Sequence, residues 1–189
     1  MDGEKKRFVT KSVVRALVAL LLIVGIFIIA KKTATEEQLA WLEPLTSRPV
    51  LMYLIFLASE TFVGIIPPEF YMIWSLSENE WLYVQKVLLL AVLSYTGAVV
   101  AFAMGKWLNN TQLVQRLLKR KKARRYTDRF EKYGGFLIFI SAVTPLPFAF
   151  ISTISGSLGY SFKRYIPYAS ARILRFAVYG WIIWQANMI

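Results

Sequence analysis

The chain has 189 residues, 57% of them hydrophobic, with mean hydropathy +0.48, net charge +12 and neither Cys nor His. That excludes a polar solvated domain or a disordered tail. It also removes disulfides, thiol nucleophiles, imidazole acid–base chemistry and the usual zinc and haem ligand sets, so neither an enzyme nor a metal or cofactor site is expected. Apolar residues come in long runs, such as 17–30 and 87–104, which predicts an all-α polytopic membrane protein. In such a chain the positive charge points to cytoplasmic loops and anionic lipid headgroups; no basic groove with stacking aromatics supports nucleic acid as a partner.

In chain order, Lys5, Lys6, Arg7, Lys11 and Arg15 precede an apolar segment at 12–30. Lys31 and Lys32 follow it where a signal peptide would place small residues, so residues 1–30 read as a cytoplasmic basic segment and a retained membrane anchor. Residues 31–48 then lie outside. The apolar stretch 49–74 contains Glu60, Pro67, Pro68 and Glu69. Two consecutive prolines remove backbone donors and clash with the preceding turn, which predicts one half-helix ending near Ile66 and another starting near Glu69. A single crossing here would send residues 105–135 outside after the span 84–104. That loop carries ten basic and two acidic residues, +8 of the total charge. The positive-inside rule therefore favours a hairpin that enters and leaves from the outer face.

Within 106–133, Trp107, Val114, Leu117, Leu118, Tyr126, Phe130 and Tyr133 recur at helical spacings among the cations, an amphipathic helix expected to lie on anionic headgroups. Residues 136–160 are again apolar and broken, now by Pro145 and Pro147, and a full span is expected at 165–184. Two units emerge, 49–104 and 136–188, each a proline-broken re-entrant hairpin followed by a span and opposite in orientation, the order expected of an inverted-topology repeat. Pro67, Pro68, Pro145 and Pro147 would form the hairpin tips. Ser141, Thr144, Ser152, Thr153 and Ser155 would satisfy backbone groups freed at the breaks. Gly64, Gly97, Gly156 and Gly159 read as sites of close helix packing, and the six Trp and ten Tyr as interfacial anchors with no aromatic cage.

Ionisable side chains at membrane depth cost about 2.5–3.5 kcal/mol each on insertion scales, so they mark partners or pathways. Glu60, Glu69, Arg172 and Arg175 qualify. The two arginines are three residues apart and share a helix face. The expectation is a midplane cavity where Glu60 and Glu69 take and release protons and Arg172 with Arg175 holds an anionic headgroup, since a planar guanidinium binds phosphate bidentately and keeps its charge. Glu69 would also cap its half-helix, and Glu60 could instead form a buried pair with either arginine.

The run from Glu60 through Gly64 and Pro67-Pro68 to Glu69, the basic loop, Tyr133-Gly-Gly, Thr144-Pro-Leu-Pro-Phe148, Gly156 and an arginine-bearing last span resembles the DedA family, also called the VTT or SNARE-associated-Golgi-protein domain, over residues 49–184. The resemblance implies a flippase or scramblase for membrane lipids, in bacteria notably undecaprenyl phosphate, a polyprenyl phosphate, driven by proton or sodium gradients. It implies residence in the bacterial inner membrane and matches Glu60 and Glu69 to the family's acidic positions. Many bacterial members carry arginines flanking the hairpin proline, where this chain has Ala142 and Phe148. Either Arg172 and Arg175 replace them from the neighbouring helix or the substrate differs. The alternatives are a proton-coupled carrier of a small ion or drug, and a non-transporting scaffold; a homo-oligomer is compatible with each.

Overall fold

The structure, a computed structural model, describes Val18 and residues 46–62, 67–77, 79–118, 121–144 and 146–188. The expected anchor at 12–30 otherwise lies outside these residues, as do Gly64 and Pro145. Among the described residues the chain is all-helical, with no strand. Eight helices with described bounds follow one another among these residues: α1 (Pro49–Phe62), α2 (Pro68–Trp74), α3 (Glu80–Asn109), α4 (Gln112–Leu118), α5 (Lys121–Val143), α6 (Phe148–Ser157), α7 (Phe162–Ala169) and α8 (Ala171–Asn187).

Helix α3 organises the others: α6, α1 and α8 all pack on it. It begins at Asn79, whose side chain accepts hydrogen bonds from the backbone N–H groups of Trp81 and Leu82, at 2.9 and 3.3 Å, satisfying two of the donors that a helix start leaves free. Among the described residues it is the one helix long and apolar enough to cross a membrane. Trp81 and Trp107, 69% and 70% exposed, sit near its two ends. At 1.5 Å per residue they are about 39 Å apart, close to the thickness of a bilayer with its interfaces, where Trp is enriched. Large apolar side chains such as Leu54, Leu88, Val92, Phe150, Leu174 and Val178 are exposed around the bundle, a surface that water would not favour and acyl chains would cover.

The two proline breaks are real and their geometry is specific. Pro67, extended at φ −58° and ψ 134°, precedes α2, and Pro68 opens that helix, where its missing N–H costs nothing. Pro147, with φ −67° and ψ 93°, holds the same place before α6. The far ends of α1 and α2 meet: the Trp74 indole N–H donates to the Thr46 carbonyl at 3.1 Å, and its ring lies edge-on to Tyr53 with centroids 5.4 Å apart. On the other side, Tyr160 beyond α6 meets Phe130 of α5 edge-on at 5.7 Å. The chain therefore doubles back twice.

The two folded-back pairs sit toward opposite ends of α3. Met52, Phe56, Tyr71 and Met72 pack with Tyr83, Val87, Leu90 and Ala91 of α3 and with Phe176, Tyr179 and Ile183 of α8. Ile138, Ala142, Phe148, Tyr160 and Tyr165 pack with Ala98 and Phe102 toward the other end. Ser94 lies between the two clusters, midway from Trp81 to Trp107.

Close approach of α3 and α6 depends on two glycines. A Cβ on Gly105 would fall 2.0 Å from the Thr153 carbonyl oxygen, and one on Gly156 would fall 2.1 Å from that of Phe102. Gly105 completes the series Gly97, Ala101 and Gly105 at four-residue spacing, a small-residue stripe of the kind that brings membrane helices together. Gly97 and Gly156 are packing sites as expected, whereas Gly159 has φ +74° and ordinary space around it, so its role is the left-handed turn after α6.

Three element boundaries differ from the sequence expectation. The residues expected as one amphipathic helix at 106–133 are shared among the end of α3, α4 and the start of α5, and α5 continues into the first arm of the second hairpin through Gly134-Gly135, both buried, where Tyr160 and Tyr168 lie against their backbone. The span predicted at 165–184 is divided at Ser170 into α7 and α8, with Pro167 inside α7 removing a backbone donor. Helix α3 is longer than the predicted 84–104.

Candidate functional site

Four ionisable side chains are buried where the two hairpins approach each other: Glu60 is 2% exposed, Glu69 1%, Arg172 3% and Arg175 4%. Each reaches this layer for a local reason. Glu60 continues the buried face of α1 after Met52 and Phe56 at four-residue spacing. Glu69 stands in the first turn of α2, where a carboxylate complements the helix N-terminus. Arg172 and Arg175 share the face of α8 that also carries Phe176, Tyr179 and Ile183.

The structure joins them in two ion pairs. Arg172 Nη2 donates to Glu60 Oε2, and Arg172 Nε donates to Ser94 Oγ, which in turn donates to the same Glu60 oxygen at 2.5 Å. A closed triangle of three side chains from α1, α3 and α8 results. Gly97 makes room for it, since a Cβ there would come within 3.0 Å of the Glu60 Cβ. In the second pair, Arg175 Nη2 donates to Glu69 Oε1 at 2.5 Å while its Nη1 donates to the Thr144 carbonyl at 2.7 Å. Thr144 ends the α5 arm beside the second proline break, so the carbonyl that the break frees becomes an acceptor for a guanidinium. Arg175 thus ties together the start of α2 and the end of α5, the two broken ends of the fold.

Aromatic faces accompany both arginines. The Arg172 guanidinium lies 4.8 Å from the centroid of Phe148 and 5.9 Å from that of Phe176, and Arg175 lies 5.0 Å from Tyr179. A desolvated cation is attracted to such faces. With Arg175 on the Thr144 carbonyl and Arg172 over Phe148, the arginines of α8 stand against the second break.

Hydrogen-bond capacity remains. Among the described residues Glu69 Oε2, Arg172 Nη1 and Arg175 Nε are buried without a partner. The layer thus offers one carboxylate oxygen and two guanidinium nitrogens beyond the bonds that hold it together, and Arg172 also lies within electrostatic reach of Arg175 and Glu69.

Other expectations fall out differently. The hydroxyls of Ser141, Thr144, Ser152, Thr153 and Ser155 donate to carbonyls three or four residues back in their own helices. They do not cap the breaks, although Ser152 also meets the Tyr165 hydroxyl at 2.8 Å. Ser94 was not among the expected site residues: it stands in the run Ser94-Tyr95-Thr96 of α3, and its place on the buried face, one turn before Ala98, sets it apart from the exposed Thr96. The Thr144 carbonyl has no signal in sequence at all.

Ser94→Ala is expected to lower stability by about 1–3 kcal/mol, because it takes a donor from Glu60 and an acceptor from Arg172 where neither has water to turn to. Thr96→Val, on the exposed face one half-turn away, should leave stability within about 0.5 kcal/mol. Unfolding midpoints of the purified proteins in one detergent compare the two.

Residues 72–185 match the family model described as the VTT domain. No curated protein and no solved structure matches the chain.

Proposed function

The chain belongs to the VTT domain family, that of the DedA proteins, and on that premise we propose that it moves lipid across a membrane as a flippase or scramblase. The observation that carries the reading is the position of Arg175, which holds Glu69 at the first break and the Thr144 carbonyl at the second. A guanidinium shared by two discontinuous helices is a switchable joint: an anionic headgroup that accepts from Arg175 competes with Glu69 for it. The displaced carboxylate then takes a proton, and returns it when the headgroup leaves and the ion pair reforms. One headgroup anion and one proton thus occupy the site together, which keeps its charge constant during transit and couples lipid movement to a proton gradient. The unpaired N–H groups of Arg172 and Arg175 supply further donors to a phosphate.

In this reading α1 with α2, and the apolar end of α5 with α6, are re-entrant hairpins. At about 21, 10 and 15 Å, α1, α2 and α6 are each too short for the roughly 30 Å hydrocarbon core. α3 spans once, and α7 with α8 spans as a kinked pair. The basic loop 105–135 and the N-terminus face the cytoplasm by charge, and the membrane is a bacterial inner membrane. The substrate class is an isoprenoid or glycerol lipid with a phosphate headgroup, a polyprenyl phosphate among them.

The test uses purified protein in vesicles, following transbilayer movement of a short-chain polyprenyl phosphate and of a phospholipid with and without a pH gradient. Wild type is expected to move lipid, and Glu60→Gln/Glu69→Gln to abolish the gradient-dependent part. Folded wild-type protein that moves neither lipid would overturn the reading; flux of a small cation or drug in the same vesicles would then identify a solute carrier, and absence of any flux a scaffold.

A further inference from the structure

At the end of the bundle that carries Asn109, away from the ion-pair layer, a groove of about 610 Å³ opens between α5, α7 and the turn after α6. Its rim is charged and its walls are aromatic. Arg164 and Glu131 face each other across it at 2.8 Å, both more than half exposed, and Lys132 stands beside them. Tyr160, with the Arg164 guanidinium 5.4 Å from its ring centroid, Phe139 and Tyr168 form the walls, and Phe139 and Tyr168 are exposed on the apolar outside. The floor is backbone: Gly135 is buried, and a Cβ on it would lie 2.4 Å from the Tyr168 ring. The groove thus has a cationic mouth, an aromatic lining and a side open to the apolar surface.

We propose that this groove binds the headgroup of an anionic phospholipid and is the approach by which a lipid reaches Arg175. The occupant follows from charge and shape together. In the lining Arg164 and Lys132 outnumber Glu131, and the +8 run of residues 105–135 leads into the same helix. An exposed pair such as Arg164–Glu131 is weak and exchangeable, so a phosphate displaces the Glu131 carboxylate at little cost. Exposed Phe139 and Tyr168 then flank the first carbons of the acyl chains, which stay in the bilayer. The route onward is short: Phe139 is about 8 Å along α5 from Thr144, whose carbonyl meets Arg175, and Tyr168 is one turn from Arg172. As an approach to the transport site, the groove rests on the transport reading; as a headgroup site it stands on its own lining.

A photoreactive phenylalanine analogue at Phe139, in the full-length protein reconstituted in phosphatidylcholine vesicles containing a minor share of phosphatidylglycerol, reads the groove directly. Phosphatidylglycerol should be captured above its share of the bilayer. Lys132→Gln and Arg164→Gln, both exposed and tolerable to the fold, should each reduce that enrichment about fivefold, the factor that one basic side chain contributes at an anionic lipid surface. Glu131→Gln should increase it. Capture in simple proportion to bilayer composition, or enrichment unchanged when both cations are neutralised, overturns the proposal. Glu69→Gln/Arg175→Gln lies outside the groove and should keep the enrichment while losing lipid movement. Wild-type protein that moves no lipid defeats the transport reading by itself, whereas the capture ratio still decides the groove.

Discussion

Glu60→Gln is expected to cost about 3–5 kcal/mol of stability, the loss that follows when one partner of a buried ion pair is removed. It should cost more than Arg172→Met at the same pair. The first substitution leaves a guanidinium at 3% exposure, and a guanidinium does not give up its proton in a protein. The second leaves a carboxyl group, which becomes neutral by taking a proton and still accepts from Ser94. Combining them as Glu60→Gln/Arg172→Met should recover most of the single loss, because a neutral pair of similar volume replaces two buried charges. The four unfolding midpoints in one detergent form a double-mutant cycle. A double variant as unstable as Glu60→Gln would show that something other than the pair sets the loss. The equivalent cycle at Glu69 and Arg175 should recover less, since Arg175→Met also deprives the Thr144 carbonyl of its donor. Both rescued proteins should fold and fail to move lipid, which separates holding the bundle together from transport.

Gly105→Ala and Gly156→Ala are expected to be at least as damaging, beyond the about 1–3 kcal/mol usual for an overfilled core. The obstacle in each case is the backbone of the facing helix, at 2.0 and 2.1 Å from the added carbon, and a carbonyl has no rotamer by which to move aside. Relief requires α6 to withdraw from α3, which carries the second break away from Arg175. Gly97→Ala meets the Glu60 Cβ at 3.0 Å, a contact that a small shift of α1 relieves. Its stability loss should be the smallest of the three while its lipid movement falls, because that shift acts on the Glu60–Ser94–Arg172 triangle. Thermal unfolding together with vesicle transport ranks the three; Gly97→Ala as the least stable variant would contradict the crossing described here.

Much of this was legible in the residues. Proline has no N–H and a fixed φ, so the breaks at 67–68 and 147 followed from composition and local sterics. Charges inside apolar runs are rare because insertion is costly, so Glu60, Glu69, Arg172 and Arg175 stood out without any contact being known. Periodicity was less informative at boundaries. Gly134-Gly135 looks like a place to end a helix, yet Tyr160 and Tyr168 fill the space beside it and α5 continues. Ser170 carries no local stop signal, and the division there accompanies Pro167 three residues earlier.

By itself, the amino-acid sequence determined an all-helical chain suited to a bilayer, two proline breaks, four costly charges and membership of the VTT domain family, because each is a property of a residue and its near neighbours. Tertiary structure alone decided how the charges pair. That Glu60 meets Arg172 across 112 positions and Glu69 meets Arg175 across 106 depends on three helices converging at Ser94 and on two glycines that let α6 lie against α3. Which carbonyl a broken helix offers, and to which cation, is likewise a matter of where the broken ends come to rest, and local sequence preference holds no information about distances of that kind.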